Sequence, residues 1–177
     1  MVSLAMAALL CASFMDVMDT MITNVALPSI QADLGANPVE LEWTIAGYLI
    51  AFATTLLLGG RLGDRYDRRT VFALSLLGFV FASLGATAAW SGPALVGFRI
   101  FQGAMAGLVI PQVLAYVQVL YPPKKRAPLY AAIGSMSVLG TVVGQLLGGW
   151  LVTSDALGLG WAGGASSSSM SLLAWWR

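Results

Sequence analysis

The stretch LAMAALLCASFMDVMDTMITNVALP, residues 4–28, holds no Lys or Arg and carries two carboxylates, Asp16 and Asp19, in a largely apolar run. A helix of about 20 apolar residues crosses a hydrocarbon core of roughly 30 Å, so residues 4–27 suffice for one passage. A barrel strand would be shorter and would alternate apolar and polar residues, which this run does not. An apolar start also raises the question of a cleaved secretory signal. The absent basic n-region, and Asp16 and Asp19 where cleavage would fall, point to a retained first span. Leu10 before Cys11 is not the small residue that a lipoprotein site needs.

Four further apolar stretches follow, about 41–60, 70–90, 93–121 and 128–152. Hydrophobic residues make up 58% of the 177-residue chain and charged ones 10%, whereas a soluble domain carries about 25% charge. The expected fold is therefore all-α, a polytopic membrane protein with five spans in residues 1–153. Pro28 and Pro93 are expected to mark span boundaries, Pro122 and Pro123 to close the fourth stretch, and Pro111 to lie inside it and kink it. Trp43, Trp90, Tyr121 and Tyr130 fall near the proposed ends, where amphipathic rings prefer to sit.

Charge placement then orients the chain. Arg61, Arg65, Arg68 and Arg69 share the connection after span two, and Lys124, Lys125 and Arg126 the one after span four. Both must face the same side, which the positive-inside rule makes the cytoplasm, with the N-terminus on that side too. Asp33, Glu40, Glu42 and Asp155 lie toward the other side without Lys or Arg. The net charge of +1 suggests no nucleic acid partner. With no histidine and a single cysteine, Cys11, the chain lacks the usual metal and haem ligands and any His-based triad, so neither a cofactor nor an enzyme is expected.

Three ionisable residues lie within spans: Asp16 and Asp19 in the first and Arg99 in the fourth. Each costs about 3 kcal/mol at a helix centre on insertion scales. At i, i+3 the two carboxylates share a helix face. Asp19 lies eight residues before Leu27 and Arg99 six after Pro93, so in antiparallel spans their depths agree to about a turn at roughly 1.5 Å per residue. This suggests a protonatable carboxylate beside a guanidinium; the alternative is a static ion pair fastening two helices. Gly140, Gly144 and Gly148, with Gly149 beside the last, form a smooth face on span five, and Gly103 with Gly107 another on span four. Ordinary close helix packing explains such faces equally well.

These stretches together resemble the major facilitator superfamily, most closely its drug:proton antiporter branch with fourteen spans. Met18–Pro28, reading Met-Asp-Thr-Met-Ile-Thr-Asn-Val-Ala-Leu-Pro, is similar to that branch's first-span motif Leu-Asp-x-Thr-Ile-Val-Asn-Val-Ala-Leu-Pro. Gly60, Leu62, Asp64, Arg65, Arg68 and Arg69 match the loop signature Gly-x-Leu-x-Asp-Arg-x-Gly-Arg-Arg, with Asp67 where glycine is usual. Leu95, Arg99, Gln102 and Gly103 match Leu-x-x-x-Arg-x-x-Gln-Gly. Gly140, Gly144, Gly148 and Gly149 match Gly-x-x-x-Gly-Pro-x-x-Gly-Gly, with Gln145 replacing the proline.

The resemblance implies an inward-gate role for the loop residues and proton coupling for Arg99. With Asp19, and Asp16 beside it, releasing and rebinding a proton, it implies export of small organic, often cationic molecules from the cell membrane. Facilitator-type metabolite uptake and a non-transporting membrane scaffold or assembly partner are the alternatives. Resemblance covers about residues 4–155; residues 154–177 form a Gly- and Ser-rich tail expected to reflect truncation or a frameshift. Synonymous codons exist for Ala165–Arg177 that read, in another frame, as an apolar peptide similar to the family's next segment. The five-span chain is expected to need a missing C-terminal half, or another copy, to transport.

Overall fold

The computed structural model describes residues 2–154, which form five helices: α1 (Val2–Leu34), α2 (Pro38–Arg65), α3 (Arg68–Thr87), α4 (Gly92–Leu120) and α5 (Pro123–Ser154). All five are long and apolar enough to cross a membrane, so the chain is an all-α polytopic membrane protein. The expected tail lies, beyond Ser154, outside the described residues.

Local chemistry explains several of the helix ends. Gly35 adopts φ 58° just after α1, the left-handed conformation that glycine supplies at helix C-termini. Asn37 then starts α2: its side chain accepts from the Glu40 N–H while the Glu40 carboxylate accepts from the Asn37 N–H, both at 2.9 Å. Pro38 sits in the first turn, where its missing N–H costs nothing. Asp67, which stands where the loop signature has glycine, caps α3 by accepting from the Thr70 N–H.

Two expectations need correction. Pro28 does not end the first span but lies inside α1, which runs on to Leu34; a membrane helix tolerates proline where neighbouring groups satisfy the freed carbonyl. The basic clusters are not loops either. Arg61 and Arg65 belong to the last turns of α2, Arg68 and Arg69 open α3, and Lys124, Lys125 and Arg126 lie in the first turn of α5, leaving only Tyr66 and Asp67 between α2 and α3. Long basic side chains reach the interface from helix ends, so no separate loop is required. Proline at 111 leaves α4 a continuous helix, and α3 stops at Thr87, short of Trp90.

Helix α4 is central, packing on α2 along one side and α3 on another, while α1 packs mainly on α5; the two groups meet through limited contacts of α1 with α2 and α4 and of α5 with α4. Glycines set both close approaches. A Cβ at Gly103 or Gly107 would overlap the backbone carbonyls of Tyr48 or Phe52 on α2, and one at Gly140 or Gly144 would come within 2.8 or 2.7 Å of the Phe14 or Met18 carbonyl on α1. Burial is inverted relative to a soluble protein. Arg99, Gln102, Gln112, Thr44, Ser13 and Ser75 are buried, whereas Leu57, Leu74, Leu77, Phe81, Leu84 and Leu146 are exposed.

Candidate functional site, a buried charge cluster between the helix groups

The three intramembrane charges meet where the two groups touch. Arg99, 2% exposed, places Nη1 at 2.5 Å from Oδ2 of Asp19, whose side chain is 18% exposed. The same Nη1 donates to Gln102 Oε1 at 2.7 Å. Oδ1 of Asp19 accepts from the Ser83 hydroxyl at 3.3 Å. Asp16, one turn away on α1, accepts from the Tyr48 hydroxyl at 2.5 Å. The guanidinium carbon of Arg99 lies 4.3 Å from the Tyr48 ring centroid, so the ring offers the cation its electron-rich face while its hydroxyl holds Asp16.

Four helices build this cluster, each for a local reason. The i, i+3 spacing on α1 presents both carboxylates to α2, α3 and α4. Gly103 lets α4 approach the Tyr48 backbone, which brings Arg99 under the ring. Gln102 follows Arg99 by three residues and is fully buried; its carbonyl is engaged, while its Nε2 and Arg99 Nε are buried with no hydrogen-bond partner among the described residues. Beside Asp16 a small cavity is walled by Ala12, Met15, Leu76, Phe79, Ala106 and Val109. An arrangement of two carboxylates, one guanidinium and one phenol, largely shielded from solvent, is suited to holding and releasing a proton. Among the described residues no group of three or more His, Cys, Asp or Glu side chains could hold a metal ion.

The motif residues divide into three places. Asp16, Asp19, Arg99, Gln102 and Gly103 come together in the cluster. Gly60, Asp64, Arg65, Arg68 and Arg69 lie apart from it at the α2–α3 turn, where Asp64 and Arg68 form an exposed ion pair and Arg65 sits 6.0 Å from the Tyr66 ring. Gly140, Gly144 and Gly148 pack on α1 behind the carboxylates, whereas a Cβ at Gly149 would meet no other part of the described residues within 4 Å and Gln145 is exposed.

Sequence reasoning did not pick out Tyr48, Ser83 or Gln112. Gln112, 1% exposed, donates across to the Gly59 carbonyl at 2.7 Å and fills the space above Gly63. A polar side chain in mid-span was the available signal for each, since a buried polar group in lipid needs a partner.

The major facilitator superfamily model matches residues 9–177. The chain belongs to the major facilitator superfamily. It is 39% identical over 89% of its length to a Streptomyces coelicolor protein named "Probable actinorhodin transporter" and covers 27% of it. It is 40% identical over 81% of its length to a puromycin resistance protein of Streptomyces alboniger, covering 29%. Against the multidrug export protein EmrB of Haemophilus influenzae the identity is 38% over 87% of the chain and 30% of that protein. This facilitator chain thus spans less than a third of the length of the curated relatives it matches. Superfamily membership makes it a multi-pass membrane protein of a transporter family and not an enzyme.

Proposed function

We propose that this facilitator chain forms part of a proton-coupled exporter of small organic molecules in the cell membrane, with Asp16, Asp19 and Arg99 as its proton-coupling centre. The observation that carries the reading is the Asp19–Arg99 pair, buried at the seam where the α1–α5 group meets the α2–α3–α4 group. Intramembrane charges are costly and tend to mark ion pathways. Adding a proton to a carboxylate of this cluster changes the charge that faces Arg99, so proton occupancy is linked to how the two helix groups sit together. Relatives bearing the words resistance and export in their names favour outward movement of an organic substrate over uptake of a nutrient.

In facilitators the substrate site lies between two halves near the bilayer midplane. Five helices supply one wall, so this chain on its own is expected to move no substrate, and a second half or another copy would complete the cavity. The basic ends of α2 and α5 then face the cytoplasm by the positive-inside rule, with the α2–α3 turn at the inward gate.

Everted membrane vesicles provide the test. A full-length relative should accumulate a cationic dye when the lumen is acidified, and the present chain should not. Proton-driven accumulation by the five-helix chain would overturn the one-wall reading, and dye movement in the opposite direction by the relative would overturn export.

A further inference from the structure

We infer that Asp16, held by Tyr48, is the carboxyl that takes up and gives back the proton, while Asp19 stays ionised as the fixed counterion of Arg99. The assignment rests on the proton-coupled reading above and divides the labour inside that cluster. It runs against the motif, which contains Asp19 and not Asp16.

The two carboxylates lie three residues apart on one helix but have different surroundings. Asp19 meets a full positive charge through Oδ2 at 2.5 Å and a hydroxyl donor through Oδ1. Protonating it would break that ion pair and take from Arg99, almost wholly buried, the one carboxylate it touches among the described residues, the costly half of a broken buried pair. Among the described residues Asp16 has only a neutral donor, the Tyr48 hydroxyl at 2.5 Å. The groups facing it are Asp19 on its own helix, Tyr48 from α2 and Arg99 from α4, while α3 presents Leu76 and Phe79. Helix α5 carries its titratable groups, Lys124, Lys125, Arg126 and Tyr130, in its first turns and packs glycines on this part of α1.

Charge balance then decides between them. Two carboxylates face one guanidinium, and the guanidinium is already matched. The surplus negative charge is that of Asp16, and an unmatched buried carboxylate relieves itself by binding a proton. The step needs no other reactant: one proton adds to a carboxylate oxygen, the new O–H becomes a donor, and the Tyr48 hydroxyl turns from donating to accepting. Because the Tyr48 ring also lies over the Arg99 guanidinium, the turning of its hydroxyl dipole is felt at the cation. Tyr48 is accordingly a positioning residue for the proton site.

Infrared spectra of the 177-residue chain in lipid vesicles at neutral pH, where exposed carboxyls are ionised, read the assignment directly. A carboxylic-acid C=O band is expected in the wild-type protein and in the control Asp33→Asn. It should be lost in Asp16→Asn, restored in Asp16→Glu, and shifted in frequency in Tyr48→Phe, which removes the hydrogen bond and keeps the ring. In Asp19→Asn the freed guanidinium should hold Asp16 ionised, so the band should reappear only at lower pH. A band that survives Asp16→Asn, a Tyr48→Phe spectrum identical to wild type, or no such band in the folded wild-type chain overturns the inference. None of these readings uses a substrate or a gradient. Failure of proton-driven dye transport would therefore sink the export reading separately from this assignment.

Discussion

Two helix contacts in this molecule rest on the same device and differ in what reinforces it. Between α2 and α4 the small residues come from both sides, Gly47, Gly59 and Gly63 from one helix and Gly103 and Gly107 from the other, and the Gln112 amide is stitched to the Gly59 carbonyl. Between α1 and α5 the close approach comes from one helix, through Gly140, Gly144 and Gly148 against the α1 backbone. In lipid, helices associate through close packing and interhelical hydrogen bonds and not through a hydrophobic drive. The first contact is thus meshed from both sides and the second is a smooth ridge against a groove. Charges join one group to the other, and charges are what a proton can change.

The largest effect should come from breaking that joint. Arg99→Leu leaves Asp19 without its cation and should destabilise the bundle by about 3–5 kcal/mol, read as a shift in the SDS concentration that unfolds the chain in mixed micelles. Adding Asp19→Leu should restore much of the loss; a double variant as unstable as the single one would mean that the pair is not the joint. Next come the glycines. Gly103→Leu must displace the Tyr48 backbone, and Gly144→Leu that of Met18, at costs of about 1–3 kcal/mol each. The first should also loosen the Arg99 cluster, seen as loss of ellipticity and of protection at Tyr48 in hydrogen exchange, while the second should free α5 alone. Equal disturbance of Tyr48 by both would erase the distinction between the two contacts. The smallest effect is Gln112→Leu at about 0.6 kcal/mol, a typical interhelical hydrogen bond in lipid, with Gly149→Ala as an unpacked control expected to stay within about 0.5 kcal/mol.

Much of this was legible beforehand, because lipid imposes few solutions. Apolar runs long enough to cross a bilayer became helices, and matching the depths of Asp19 and Arg99 from the ends of their spans brought together two residues 80 positions apart. The glycine face of span five found its helix. What remained hidden depended on rotation about helix axes and on the third dimension. Nothing in the run around Tyr48 says that its hydroxyl points at Asp16 and not at a headgroup. Ser83 looks like any small residue of a membrane helix until α3 is docked. Pro28 misled because proline stops helices in water more reliably than in lipid, where unravelled backbone has nowhere to go; Gly35 was the better stop signal. The basic residues identified one end of the bundle, but local spacing could not show that they extend helices.

At the opposite end Ala36 and the Glu40 carboxylate lie against the bare Cα of Gly92, so the turn joining α1 to α2 is seated on the turn that opens α4. Two connections that meet at one rim act as a selvage. The arginine-bearing rim is held differently, by the short Tyr66–Asp67 link that leads from α2 straight into α3.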